Sequence, residues 1–324
     1  MKPVGHRESI DHMTPTGPDF VVAGSARAGT TALIEGLRAH PRVFVTDPKE
    51  PHYFAMHGTR PDFRGPGDQL SINRAAVTDR DDYLALYPRD SGLALGEGSV
   101  STLYYYQHAL PELLRMNPDV RVVVLLRDPV ARAYSSFQYL RSQGREPEED
   151  FLAAVRAEPE RRAANWHHLW HYTAMSMYAD AIGAFRELLP RDNLGIWFYD
   201  DLERDYAATL AEVLRFLELP EVPGLGERMP RVNISGTPRF RHVQQALWKA
   251  SASPGLRRTA RLLTSWRFRE AVKSRIIRRD PLPAEITRSL APLFEADLLR
   301  LHDFLADDVD LPAWLEPRSR AHLR

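Results

Sequence analysis

Short apolar runs that stop at turn residues alternate with longer stretches of helical period along most of the chain. "FVVAG" (Phe20 to Gly24) stops at a glycine-rich turn. "TALIEGLRAH" follows, with Ala32, Leu33 and Leu37 at helical spacing and His40-Pro41 as a stop. Arg42 to Val45 and "LALGE" (Leu93 to Glu97) are further short strand candidates. "VRVVVLL" (Val120 to Leu126) is nearly all β-branched or leucine and has no alternation. Such a run suits a parallel strand buried on both faces. After it, Asp128 can cap a helix, Pro129 fits its first position and Gly144 can end it. "DNLGIWFYDDL" (Asp192 to Leu202) reads as one more strand, and "YAATLAEVLRFLEL" (Tyr206 to Leu219) as a helix. Strands alternating with helices predict an α/β fold with a central parallel sheet and a helical C-terminal part.

Composition narrows the classes. The 324 residues suffice for one large domain, and 44% of them are hydrophobic. Lys plus Arg is 43 and Asp plus Glu is 43, so no global field favours nucleic acid. There is no Cys, which excludes disulfides and thiol chemistry. The N-terminal stretch is polar and lacks the apolar region of a signal peptide. The longest clean apolar run, Val122 to Leu126, is far too short to span a bilayer. A cytoplasmic protein is the expectation, with residues 1–18 as a flexible arm and 19–324 as one domain. The stretch 251–280 departs from the rest. It carries nine Arg or Lys against Glu270 and Asp280, with Leu, Val, Ile and Trp interleaved. This basic amphipathic segment could touch a membrane surface or an acidic acceptor.

The candidate chemistry starts in "GSARAGTT" (Gly24 to Thr31). Gly24 and Gly29 have the spacing of a nucleotide-binding P-loop, but Thr30 stands where its Lys would be, and the nearest cation is Arg27. Backbone N–H groups in such a turn, at a helix N-terminus, form an anion site. Gly29 permits close approach beside Ala28, and Thr30 and Thr31 add hydroxyl donors. The loss of the Lys argues against triphosphate chemistry; a turn that binds nothing is the plain alternative. A second motif, "LLRDPVARAYSSF", puts Arg127 at the carboxyl end of the buried strand and Ser135 on the next helix. Ligands of open α/β sheets sit at that end, and Arg offers phosphate a bidentate grip.

Together the two motifs resemble the sulfotransferases that use 3′-phosphoadenosine 5′-phosphosulfate (PAPS). The family's phosphosulfate loop is Gly-x-x-Lys-x-Gly-Thr or a variant with Arg, and Arg27 falls on the cation position. The family's 3′-phosphate motif is an Arg with a Ser eight residues later, as Arg127 and Ser135 are. "DPKEPHYF" (Asp47 to Phe54) resembles a Lys-Glu-x-His-Phe-Phe stretch of the glycosaminoglycan branch, and "GEGSVSTLY" (Gly96 to Tyr104) a Gly-Glu-x-Ser-x-x-Tyr segment. "MYADAIGAFRELLPRDNLGIWFYDDL", "VNISGTPR" and "DLPAWL" are similar to later family blocks. The cytosolic members' Lys-x-x-x-Thr-Val dimer motif is not visible, so oligomeric state stays open.

The resemblance implies a P-loop-like three-layer sandwich and transfer of a sulfuryl group from PAPS, without a metal, to a small-molecule, natural-product or carbohydrate acceptor. It implies Glu50 as the base, with His52 as the alternative base or its partner. Pro51 biases Glu50 to an extended backbone, and an extended chain would point His52 to the same side. Arg27 would act on the leaving phosphate; Tyr199 would contact adenine, and Arg239, with Arg241 behind it, would complete the 3′-phosphate site. Lys49 and Ser99 are candidates for orienting donor or acceptor. His167 and His171 would share a helix face at i, i+4, and are read as acceptor-pocket wall rather than as metal ligands. Residues 55–92 and 145–172 are the expected walls. The competing reading is a small-molecule kinase, for which Asp128 is the one tempting magnesium ligand.

Overall fold

A computed structural model describes residues 17–89, 91–227, 237–238, 277–278 and 281–316. Five strands form one fully parallel sheet: β1 (Phe20–Gly24), β2 (Val43–Val45), β3 (Ala94–Glu97), β4 (Arg121–Leu126) and β5 (Leu194–Phe198). Their spatial order is β2-β3-β1-β4-β5. The chain fills one side of β1 first and the other side afterwards. The order therefore reverses between β1 and β4, the place where open α/β sheets leave a crevice.

The unbroken apolar run of the sequence is the reason β4 sits inside the sheet. Val122, Val124 and Leu126 face one layer with Val21 and Ala23, while Val123 and Leu125 face the other with Phe20 and Val22. All of these are fully or nearly fully buried. Helices Tyr106–Met116, Ala179–Leu188 and Ala284–Leu305 cover the first face; Thr30–Arg38 and Tyr206–Phe216 cover the second. This is the expected three-layer arrangement. A short antiparallel pair, Thr237–Pro238 with Ile277–Arg278, is separate from the sheet.

The helix after β4 spans Pro129–Ser142, and Asp128 caps it by accepting from Ala131 N at 2.7 Å. Gly144 follows its end with φ +68°. Two expectations need correction. The strand expected through Leu202 stops at Phe198, and Tyr199 opens a helix over Tyr199–Arg204, because Asp200 and Asp201 favour a helix N-terminus. The stretch around His167 and His171 is no α-helix; it is a single 3₁₀ turn, His168–Trp170, whose start is fixed by His167 accepting from Leu169 N. The two imidazoles therefore share no helix face.

Of the expected arm, residues 1–16 lie outside the described residues; Gly17 packs against Met116, and the Pro18 carbonyl accepts from Asn117 Nδ2 at 2.9 Å. Arg239, Arg241 and nearly all of the basic 251–280 segment also lie outside them. No helix among the described residues is long and apolar enough to cross a membrane.

Candidate active site

The parallel pairing of β1 with β4 brings the two sequence motifs side by side, since the loop after one strand and Arg127 after the other leave the sheet at the same edge. Gly29 caps the helix Thr30–Arg38 with φ +88°, and a Cβ there would lie 3.1 Å from Leu202 and 3.3 Å from Tyr199. Both the backbone sign and the tight neighbours call for glycine. The helix axis starts at Thr30 and Thr31, so its first N–H groups point into the crevice.

Two guanidiniums line the crevice. Arg27 has a left-handed backbone (φ +71°), donates Nε to Ser135 Oγ at 3.3 Å, and lies 4.6 Å over the Tyr139 ring. Arg127 donates Nη1 to the Arg27 carbonyl at 2.8 Å and stacks 4.2 Å over the Tyr199 ring. The Arg127 carbonyl in turn accepts from Tyr178 Oη at 3.0 Å. Burial pushes Arg27 down to about 10; Tyr139 opposes this, while the charges of Arg127 and Arg132 add to it. Two cations on one crevice, each adding to the cost of the other's charge, favour an anionic ligand. Arg132 is fully buried and committed elsewhere, to the Tyr172 carbonyl and Ser176 Oγ.

Next along the same edge is the segment after β2. Glu50 forms an ion pair with Lys49, and both side chains are partly exposed. Burial alone would raise the Glu50 carboxyl, but Lys49, then His52, and more weakly Arg27, hold it below its ordinary value. His52 is not extended as expected: its φ is +58°, and it caps the short helix Tyr53–Met56. Ser99 and Ser101 hold it there. The His52 N–H donates to Ser99 Oγ at 3.0 Å, and Nδ1 is 2.8 Å from Ser101 Oγ. Burial lowers the His52 pKa, Glu50 acting against it.

The two stretches expected as acceptor walls pack on each other. Asp68 is fully buried and accepts from Gly65 N, His167 N and Trp170 Nε1 at 2.9, 3.1 and 3.2 Å. Arg64 N donates to the Asn165 carbonyl at 2.9 Å. The His168 ring stands 6.0 Å from that of His52. A cleft of about 390 Å³ opens from Ser25 between Tyr104, Tyr105 and Met175. A larger hollow of about 1130 Å³ lies along the outer edge of β5, away from both motifs, and has no part in this site.

Sequence reasoning thus named Arg27, Ala28, Gly29, Thr30, Thr31, Glu50, His52, Arg127, Ser135 and Tyr199, all of which this edge gathers. It did not single out Tyr139, Asp68 or Glu97. Tyr139 lies four residues after Ser135, one helical turn, which was the available signal. Asp128 spends an oxygen on its helix cap, which argues against the magnesium role a kinase would give it.

The description "Sulfotransferase domain" matches residues 17–259 of the chain. Carbohydrate sulfotransferase 15 of Homo sapiens is 28% identical over 166 residues, 40% of this chain and 28% of that protein. Heparan sulfate glucosamine 3-O-sulfotransferase 6 of Mus musculus is 24% identical over 212 residues, 63% of this chain and 53% of that protein. The chain thus matches about a quarter to a half of the length of these relatives. Among solved structures, a sulfotransferase from Alicyclobacillus acidocaldarius shares the fold with a TM-score of 0.69 at 23% identity, covering 92% of this chain and 98% of that one.

Proposed function

The chain belongs to the sulfotransferase domain family, and from that membership we propose that it moves a sulfuryl group from PAPS to a hydroxyl or amine, leaving adenosine 3′,5′-bisphosphate. The observation that carries the reading is the convergence of Arg27, Arg127 and Ser135 at the switch point, with Glu50 on the same edge. The donor set fits the proposed co-substrate: two guanidiniums, several hydroxyls and a helix N-terminus suit two phosphates and a sulfate.

In this reading Arg127 and Ser135 hold the 3′-phosphate and Tyr199 borders the adenine. Arg239, expected to complete that site, lies outside the described residues. Glu50 takes the acceptor proton as the acceptor oxygen bonds to sulfur. Arg27 and the loop N–H groups stabilise the electron pair that returns to the 5′-phosphate as the bridging S–O bond breaks. Lys49 keeps Glu50 ionised until it accepts that proton. A proton acceptor, an anion cradle and a fixed geometry are what the step needs, and no metal is required of the protein.

A carbohydrate hydroxyl is supported as acceptor by the two relatives named above; a small natural product fits the cleft volume equally. A cytoplasmic location accords with the reading. The test is mass spectrometry of the protein incubated with PAPS and a metabolite extract. Products heavier by one SO₃, appearing with adenosine 3′,5′-bisphosphate, support the reading. Phosphorylated products from ATP and magnesium, with none from PAPS, would replace it by a kinase.

A further inference from the structure

Glu97 ends β3 and is fully buried, yet nothing in the proposed chemistry uses it. Among the described residues its carboxyl is hydrogen-bonded by Ser99, whose hydroxyl donates to Oε2 and whose backbone N–H donates as well, while Oε1 is buried and without a hydrogen bond. Ser99 is equally buried and faces two ways, because its oxygen also accepts the His52 N–H. Two further bonds tie the same stretches together: Gly98 N donates to the Lys49 carbonyl at 2.9 Å, and Ser101 Oγ meets His52 Nδ1. Residues 97–101 are thus the mount on which Lys49, Glu50 and His52 sit.

The mount has something to hold. His52 is in a left-handed backbone conformation that a residue with a Cβ adopts only where its surroundings impose it. The bond from its N–H to Ser99 is one such constraint, and Glu97 orients the hydroxyl that accepts it.

We propose that Glu97, through Ser99, is the positioning residue that fixes His52 and with it the base segment. The inference rests on the sulfotransferase reading for what that segment does, not for the contacts. Glu97 acts as a neutral acid. Burial pushes its carboxyl up to about 8; the Ser99 bond opposes this, and Glu50 adds to it. The titratable groups around it are Glu50, Lys49, Tyr83 and Tyr87, and the two tyrosines are themselves held protonated well above their usual range by burial. A neutral Glu97 leaves the Lys49 charge to Glu50. An ionised Glu97 would compete for Lys49 and place a second negative charge beside the base, raising the Glu50 pKa.

The experiment follows His52 by NMR in the full chain, comparing the unsubstituted protein with Glu97→Gln, Glu97→Ala and Ser99→Ala. Amide exchange at His52 should rise tenfold or more in Glu97→Ala and Ser99→Ala and stay within twofold in Glu97→Gln, which keeps the acceptor oxygen. The His52 ring signals should show an additional step as pH rises through about 8, absent from Glu97→Gln. Unchanged His52 exchange in Ser99→Ala, or the same step in Glu97→Gln, would overturn the proposal. Should Glu97→Ala not fold, these two variants decide it. Calorimetry with adenosine 3′,5′-bisphosphate on the same samples separates the two ideas. Absence of binding to the unsubstituted protein would sink the sulfotransferase reading and leave the His52 result standing.

Discussion

Replacing Arg27 by Met removes a charge that burial disfavours, so turnover and stability should part company. Met keeps an unbranched apolar stem over Tyr139 and tolerates the left-handed backbone no worse than Arg does. Arg27 stays protonated at neutral pH, but a pKa brought from 12.5 to about 10 is a cost of roughly 3 kcal/mol for the charged form. Solvent reaches the side chain in part, and about 1–2 kcal/mol survives that screening. Because the folded value lies below the unfolded one, this cost is present throughout the physiological range and relieved only above about pH 10. Against it stand the lost bond to Ser135 and the cation–π contact, together ~1–2 kcal/mol. The unliganded variant should therefore melt within about 3 °C of the parent. Turnover should fall by ~10²–10³, as for a lost oxyanion donor. Thermal scans with and without adenosine 3′,5′-bisphosphate, beside initial rates of its release from PAPS, measure both. Unchanged turnover, or a melting point lowered by roughly 8 °C or more, would refute the reasoning.

Arg127→Ala should weaken binding of the bisphosphate by ~10–100-fold, a charge-assisted contact worth ~1.5–3 kcal/mol, while affinity for the 3′-hydroxyl analogue barely changes. Combined with Arg27→Met it should be non-additive, since Arg127 holds the Arg27 carbonyl; calorimetry of the double variant checks both statements. Glu50→Gln should lower turnover ~10²–10⁴-fold with donor affinity kept. Because its neighbours hold Glu50 below its ordinary value, the acid limb of the rate should lie below the ordinary carboxylate range; a limb kept in Glu50→Gln and abolished in His52→Ala would assign the base to His52 instead. Gly29→Ala should cost ~1–2 kcal/mol in chemical denaturation, as a left-handed alanine pressed on Tyr199 and Leu202.

What the sequence made legible was local or periodic. The apolar runs locate β1 and β4, and Asp128, Pro129 and Gly144 bound a helix by rules that act within one turn. Arg27 and Arg127 were legible as cations following strands, and parallel pairing of those strands joins them. The rest depends on partners distant in sequence. His52 was misjudged as extended because its conformation is set by Ser99 and Ser101, 47 and 49 residues away. Asp68 looks like a loop acid until the backbone N–H of His167 and the Trp170 indole are seen to converge on it. The irregular run around His167 follows from that same anchoring, which outweighs an i, i+4 spacing. Glu97 stood in a quoted motif, but its burial beneath the base segment exists only once β3 lies between β2 and β1.

The central claim is that the crevice between β1 and β4 takes a nucleotide carrying a 3′-phosphate. Isothermal titration of the full chain with adenosine 3′,5′-bisphosphate, with adenosine 5′-monophosphate, and with ATP plus magnesium tests it most directly. The bisphosphate should bind in the micromolar range or tighter, and the monophosphate at least about tenfold more weakly, for want of the Arg127 and Ser135 contacts. Equal affinity for the two adenosine phosphates, or tighter binding of ATP with magnesium than of either, would contradict it.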